Sequence, residues 1–526
     1  MRTVTETTSK IRTRYAPSPT GELHLGGLRT ALYAWLWARH NNGSFYIRIE
    51  DTDRERYVVG AADRMLATLR GFGITWDEGP DIGGPHTPYV QSERLNRYRE
   101  AAERLVAEGK AYNCDCSMER LSELRKTQIA AGQPTRYDGR CRNRQKEINL
   151  TEPHVIRFRT PTPGDPLAPI ELVPTPDASI GTSETAGTQE DGIEDLTVSD
   201  LIHGDITVKI TTIDDFVLLK SDGFPTYHLA HIVDDHEMAT TDVIRGDEWI
   251  SSLPRHVLLF RAFGWEPPRY AHLPLLLNAQ RKKLSKRDED VSVDSFLTWC
   301  LPRALINFVA LLGCNPSNNQ EIYSTEELIA TFDLKKVNRS PAVVDLEKLE
   351  WMNGEYIRQL SPAELLDLVQ EKTGYYERIN DSDRWRLRGD SDREVDTNFL
   401  LKVMGLEQPR LKRLSLIPSW YFRSYNREAP LIWKNADVAT TSQNLEALIT
   451  KLAALEQWNG DATPAELEVI IKSWIVEHKM GVGETLWPMR VALSGQQASP
   501  SPFELAWLFG REETLRRLRY ALASLN

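Results

Sequence analysis

A change of period between residues 11 and 38 constrains this 526-residue chain more than any other feature. Ile11 to Ala16 reads as a short strand, and Pro17, Pro19 and Gly21 then force a turn. From there Leu25, Leu28, Ala31, Leu32, Trp35 and Ala38 recur at helical spacing. Strand, tight turn and helix start in that order make the opening of a βα unit. His24, Gly26 and Gly27 fall at the helix N-terminus, where free backbone N–H groups and the helix dipole form a phosphate seat. Glycine allows close approach to the backbone, and an imidazole can donate to a phosphate oxygen. A lone His-x-Gly-Gly would equally suit a plain structural turn, so the rest of the chain must decide.

Phe45 to Glu50 reads as the next strand, running into Asp51-Thr52-Asp53, a helix-cap cluster. Capping accounts for Asp51 and Asp53. Glu50, at the strand's carboxyl end, can instead face a ligand crevice and hold an ammonium group. Far downstream, Arg281 to Arg287 puts five cations into seven positions, just after the apolar Leu273–Leu277. Such a run is often a solvated face. Here it reads as a loop at a sheet edge whose lysines can reach the charge developing on a triphosphate. The chain contains no G-x-x-x-x-G-K-[ST] and no convincing G-x-G-x-x-G, so neither a P-loop NTPase nor a dinucleotide enzyme is indicated.

At about 100–200 residues per domain, the length predicts three to four domains. No apolar run approaches the roughly 18–20 residues that span a bilayer, and the N-terminus carries no signal-like apolar segment. Five cysteines are too few for a disulfide framework, which favours a reducing cytoplasm. A net charge of −11 does not advertise nucleic-acid binding, so any such contact must rest on local basic faces. Arg410, Lys412, Arg413, Arg423 and Arg427, with Trp420 and Tyr421 among them, form one candidate. The tract fits a backbone-gripping, base-stacking surface or a helix with a basic face and buried aromatics.

With Pro17-Ser18-Pro19-Thr20-Gly21 ahead of His24 and Lys283-Leu284-Ser285-Lys286-Arg287 behind it, the chain resembles bacterial-type glutamyl-tRNA synthetases, which are class I aminoacyl-tRNA synthetases. Arg48–Arg54, Pro225–Ala230, Val243–Trp249, Ser340–Ala342 with Trp351–Gly354, Arg490–Gly495 and Glu512–Leu515 look like family segments in family order. The resemblance covers most of the chain and is weakest around 160–200 and 370–480. It implies an α/β doubly wound (Rossmann-type) catalytic domain over 11–112 and 200–272. A connective insertion occupies 113–199, a stem-contact domain with the lysine loop 273–384, and a mostly α-helical anticodon-binding domain 385–526. Asn444–Leu455 and Ala465–His478 show the amphipathic period such helices need.

The implied activity is ATP-dependent activation of L-glutamate to glutamyl-adenylate and its transfer to the terminal adenosine of tRNA-Glu. The implied catalytic residues are His24, Lys283, Ser285 and Lys286. Thr20, His24, Gly26, Gly27, Lys283, Lys286 and Arg287 would bind ATP, with Mg2+ travelling with the nucleotide. Arg14, Ala16, Ser18, Glu50, Tyr227 and Arg245 match the family's glutamate positions. The chemistry suits the ligand: arginines grip carboxylates, Glu50 pairs the ammonium, and a neutral glutamine side chain would leave an arginine unpaired.

Cys114-Asp115-Cys116 and Cys141 resemble the family's zinc insertion, with Tyr137, His154 or water as fourth ligand. Asn143 stands where some relatives have histidine. Residues 160–195, rich in Pro, Thr, Ser, Gly and acidic residues, read as a long exposed loop where the family usually has a shorter connection. Glu289 replaces a common glycine after the lysine loop. The expected partners are tRNA-Glu, L-glutamate and ATP, with tRNA-Gln as a further acceptor in a non-discriminating variant. The expected state is a cytoplasmic monomer. A tRNA-modifying paralogue would lack the helical region after 385, and an inactive RNA-binding paralogue would not need His24, Lys283, Ser285 and Lys286 intact.

Overall fold

The strand read from Ile11 to Ala16 is β1 (Arg12–Tyr15), and the apolar period behind it is α1 (Leu25–His40). Leu25, Leu28, Ala31, Leu32, Ala34 and Leu36 are fully buried, so this helix is covered on nearly every side. Truncating one of them, as in Leu32→Ala, costs about 2–5 kcal/mol. Thr13 Oγ1 donates to the Ala34 carbonyl at 2.8 Å and stitches strand to helix. The structure is a computed structural model describing residues 10–162, 195–284, 292–315, 320–379, 382–388, 393–414, 418–423, 428–455, 458 and 462–525. Ser285, Lys286, Arg287, Glu289, Arg427 and nearly all of the 160–195 segment lie outside them.

The chain continues through β2 (Ser44–Ile47), α2 (Ala61–Gly71), α3 (Leu95–Ala107), β3 (Ala111–Cys114), α4 (Met118–Ala130) and β4 (Val155–Phe158). Then come β5 (Asp195–Asp200), β6 (Gly204–Lys209), β7 (Val217–Leu219), α5 (Tyr227–Glu237), β8 (Asp242–Gly246), α6 (Leu253–Phe263), β9 (Arg269–Leu273) and β10 (Leu276–Leu277). The main sheet has the order β2-β1-β8-β9-β5-β6, parallel from β2 to β5 with β6 antiparallel at the edge. Order runs outward from β1 in both directions, so the carboxyl ends of β1 and β8 border the crevice of a doubly wound sheet. Asp242, Val243, Ile244 and Arg245 are all buried, as expected of a central parallel strand covered on both faces.

A separate antiparallel sheet joins β3, β4 and β7. Strand pairing therefore crosses the 199/200 division: β7 completes the insertion's sheet, while β5 belongs to the main one. Asp51 does not cap a helix. Gly60 occupies the cap position before α2, and Asp51 accepts from Ser92 N at 2.8 Å and Ser92 Oγ at 2.6 Å, fastening the segment after β2 to the one before α3. Asp53 pairs with Arg56.

The described residues divide into two compact units, one within Met1–Phe296 and Leu305–Leu346, the other within Leu297–Ala304 and Glu347–Asn526. Within the second unit, after the helices Leu346–Ile357 and Pro362–Thr373, lies a small antiparallel sheet of Tyr376–Arg378, Arg384–Leu387 and Val395–Asp396, which the helical reading from 385 onward did not contain. Helices follow at Thr397–Glu407, Val438–Ala453, Pro464–Glu477, Val482–Ser494 and Pro502–Ala523. Thr463 with Glu466 and Ser501 with Glu504 form capping boxes, each with proline in the first turn, so these starts are written locally in the sequence. Among the described residues no helix is long and apolar enough to cross a membrane.

Candidate active site

A cleft of about 910 Å³ opens at the carboxyl ends of β1 and β8. Its lining includes Arg14, Ala16, Ser18, Thr20, His24, Gly26, Gly27, Glu50, Tyr227, Arg245 and Lys283, so the separated sequence candidates that are described meet in one place. At one end His24 is the N-cap of α1, and its Nδ1 accepts from Gly27 N at 3.1 Å. That bond leaves the ring proton on Nε2, the tautomer able to donate to an anion. A Cβ on Gly27 would come within 2.9 Å of Tyr15 Oη and 3.0 Å of Leu23 Cδ1, so the helix mouth admits no side chain there.

Lys283 sits on a hairpin built on β10: Leu284 N donates to Leu276 O at 3.1 Å and Asn278 N to Lys282 O at 2.9 Å. Beyond the loop, Ser292 pairs with His24 in an isolated bridge and its Oγ donates to Glu22 at 2.8 Å, while Val293 N donates to Leu23 O at 2.9 Å. Both flanks of the lysine loop are therefore anchored at the cleft, one through Lys283 and the other on the His24 turn.

The floor of the cleft is a buried lattice of charge. Asp235 accepts from Arg14 Nε at 3.1 Å and from Arg48 Nη1 at 2.7 Å. Asp234 accepts from Arg94 Nε at 2.7 Å, Gln91 Nε2 at 2.8 Å and the Tyr98 hydroxyl at 2.9 Å. Arg48 also reaches Glu50 Oε1 at 2.9 Å. Burial works against an ionised Asp235, but Arg14, Arg48 and His231 outweigh it and hold its carboxyl well below the usual range. Burial raises the Glu50 carboxyl, with Arg48 opposing.

The wall differs. Arg245 on β8 is only 5% exposed, yet among the described residues no carboxylate pairs with it. Its Nε donates to His272 Nε2 at 3.0 Å, and its Nη1 to the Tyr227 hydroxyl at 3.2 Å. His256 Nδ1 lies 3.2 Å from both Nη1 and Nη2, and His231 Nε2 lies 3.4 Å from Nη1. Tyr227 in turn packs on Trp249, ring centroids 4.1 Å apart. Burial holds the His228 imidazole down at about 4 and that of His231 at about 3, and it lowers His256 and His272 as well. The rings around the guanidinium are thus neutral acceptors.

The family described as tRNA synthetases class I (E and Q), catalytic domain, matches residues 10–173 and 188–351, and the anticodon binding domain matches 364–522. The chain belongs to the class I tRNA synthetases of the E and Q type. A glutamate–tRNA ligase of Clostridium botulinum (strain Okra / Type B1) is 41% identical over 533 residues, covering 99% of each chain. One from Dehalococcoides mccartyi (strain 195) is 42% identical over 525 residues, again covering 99% of each. The crystal structure of a glutamate tRNA ligase from Elizabethkingia meningosepticum in complex with its amino acid is similar at a TM-score of 0.81 and 33% identity, covering 98% of this chain and 100% of that one.

In this synthetase the three cysteines of the insertion also converge. The Sγ atoms of Cys114, Cys116 and Cys141 lie within 4.8 Å of one another, with Cys116 and Cys141 3.6 Å apart. The Tyr137 hydroxyl is 3.5 Å from both Cys114 Sγ and Cys116 Sγ. A tetrahedral zinc has S···S edges of about 3.8 Å and S···O edges of about 3.5 Å, so the set fits a zinc ion. Burial raises the Cys114 thiol, but hydrogen bonds from Tyr137, the Cys116 backbone and Arg157 outweigh it and bring it below the usual value; burial pushes Cys141 up to about 12. His154 is half-buried and bonded to the Glu152 carbonyl, and Asn143 accepts from Arg159, so neither joins the cluster.

Of the basic tract in the second unit, Tyr421 is fully buried with its hydroxyl on Glu407, which removes it as a stacking surface. Arg413 pairs with Glu350 and covers Trp299 at 4.4 Å.

His231, His256, His272, Asp200 and Asp235 escaped the sequence reading. Tyr227 and His231, four apart on a helix, carried a usable signal. Asp200 and His272 meet only through the parallel register of β5, β9 and β8.

Proposed function

We propose that the chain activates L-glutamate with ATP and transfers the glutamyl group to the terminal adenosine of tRNA-Glu. The observation that carries this reading is the buried guanidinium of Arg245, without a carboxylate partner among the described residues, in the same cleft as His24. Such a cation is complementary to an acid side chain and not to its amide. Arg14 gives Nε and Nη2 to Asp235, which leaves Nη1 for the same ligand, and Glu50 faces the ammonium. Ala16, Ser18 and Tyr227 shape the remaining wall.

The glutamate α-carboxylate attacks the α-phosphate, and pyrophosphate leaves. Thr20, His24, Gly26 and Gly27 hold the phosphates at the α1 N-terminus; Lys283, Ser285, Lys286 and Arg287 offset charge on the leaving group. Mg2+ accompanies ATP. Positioning and electrostatics suffice, and no covalent enzyme intermediate forms. ATP–pyrophosphate exchange with tRNA present is expected with glutamate and not with glutamine; the reverse preference overturns the reading. The acceptor is tRNA-Glu, and labelled glutamate appearing on purified tRNA-Gln would widen the reading to a non-discriminating enzyme.

Cys114, Cys116, Tyr137 and Cys141 hold zinc in a closed structural site that fixes the insertion and takes no part in the chemistry. Elemental analysis of protein purified without chelator is expected to find about one equivalent; less than about a tenth overturns the site. The protein works as a monomer in a reducing cytoplasm, in keeping with its free thiols.

A further inference from the structure

We propose that the imidazoles of His256, His272 and His231 set the amino-acid specificity of the cleft: they hold Arg245 through acceptor nitrogens and supply it no counter-charge. This rests on the reading of Arg245 as the grip for the substrate's side-chain carboxylate.

The arrangement is built from five elements. Parallel pairing of β8 with β9 sets Arg245 beside His272. β5 brings Asp200, whose Oδ2 lies 2.6 Å from His272 Nδ1. α5 contributes His231, whose Nδ1 lies 2.8 Å from Asp235 Oδ2. α6 contributes His256, whose Nε2 lies 3.0 Å from His228 Nδ1. In each ring one nitrogen faces Arg245 and the other faces a second partner. His272 therefore carries its proton on Nδ1, toward Asp200, and His256 carries its proton on Nε2, toward His228, while His231 Nδ1 stands near Asp235 without an aligned hydrogen bond.

The consequence is electrostatic. Two carboxylates stand close by, and in both cases an imidazole is interposed between carboxylate and guanidinium. An aspartate in direct contact would satisfy the cation internally, and a substrate would then have to displace it. Neutral acceptors satisfy the N–H groups against burial but leave the charge uncompensated. The positive charge of Arg245 is thereby kept for a ligand, and an amide cannot discharge it. The depressed basicity of the rings agrees: a proton on any of them would set two cations in contact.

The test is an isosteric pair. His256→Gln keeps a neutral acceptor at Arg245, whereas His256→Glu places a carboxylate there. In pyrophosphate exchange with tRNA present, the KM for glutamate is expected to be at least about 30-fold higher in the Glu variant than in the Gln variant. The KM for ATP should agree between the two within about threefold, and the preference for glutamate over glutamine should narrow only in the Glu variant. A purely structural role would move both variants alike, and equal glutamate KM values overturn the proposal. Arg245→Gln separates the two levels: if it retains the wild-type KM for glutamate, the reading of Arg245 itself falls. Should the Glu variant not fold, His256→Ala opens a cavity for added anions. Formate at concentrations harmless to the wild type is expected to raise its glutamate KM, and imidazole is not; equal effects overturn the proposal.

Discussion

The floor and the wall of the cleft both bury guanidinium groups, in opposite settings. On the floor, Arg14, Arg48 and Arg94 are each matched to a carboxylate of Asp234 or Asp235. On the wall, Arg245 touches three imidazoles and a phenol. Burying an ion without compensation is costly, so a paired lattice is what a stable scaffold requires. A site that leaves one cation without a counter-ion gives up some of that stability and gains a fixed demand for an anion. The contrast separates charge used to hold the fold from charge held ready for a ligand.

The largest test removes the wall's charge. Arg245→Gln is expected to lower kcat/KM for glutamate in pyrophosphate exchange by about 10³–10⁴-fold. Unfolding free energy in urea should change by less than about 2 kcal/mol, because no ion pair is broken. An effect below about tenfold on kcat/KM would erase the distinction. The floor should respond the other way round. Asp235→Asn leaves Arg14 and Arg48 facing an amide and is expected to cost about 3–5 kcal/mol of stability. A loss below about 1 kcal/mol would mean that the lattice is not structural.

The sequence disclosed these two regions unequally. The β1–turn–α1 start was legible because its signals are local: prolines and a glycine for the turn, a period of Leu and Ala for the helix. Thr463, Glu466 and Pro464 carry an equally local helix-start signal, although only the period of Ala465–His478 entered the sequence reading. The cysteine trio was legible by residue type. The histidine enclosure was not, since Asp200, His231, His256 and His272 come from four elements, and only the parallel register of the strands and the packing of two helices bring them to Arg245. The small sheet at 376–396 escaped because its strands are two to four residues long, too short for alternation to stand out. Tyr421 was ambiguous between a surface stack and a core because its partner, Glu407, lies on another element.

Acid should distinguish wall from floor. The folded pKa values of His228, His231, His256 and His272 all lie below the usual histidine value, chiefly through burial. Below about pH 6.5 the unfolded chain therefore takes up protons that the native wall refuses. Stability falls with pH at up to about 1.4 kcal/mol per unit per histidine, down to the folded values. Asp235 has its own depressed value, so its contribution is complete above about pH 4 and fails only below it. Glu50, raised by burial, acts in the opposite sense near the ordinary carboxylate range. In urea titrations, His256→Gln is expected to flatten the slope between about pH 5 and 6.5 by up to about 1.4 kcal/mol per unit and leave the steeper acid limb in place. An unchanged slope would remove His256 from the wall's protonation account.

Tyr227 offers the finest test, because it lies between the two regions. Its hydroxyl accepts from Arg245 Nη1 at 3.2 Å, and its ring stacks on His231, whose other nitrogen faces Asp235. Tyr227→Phe keeps the ring and its packing on Trp249 and removes only the oxygen. Arg245 Nη1 retains His256 at 3.2 Å and His231 at 3.4 Å, so no N–H is orphaned. The expected stability change is about 1 kcal/mol or less. If the phenol only steadies Arg245, the KM for glutamate should rise by no more than about tenfold, with kcat and the KM for ATP almost unmoved. A fall in kcat of about 100-fold would instead put the hydroxyl on the reacting carboxylate. Tyr227 would then belong with the groups that meet the substrate, and the wall's hold on Arg245 would rest on the imidazoles alone.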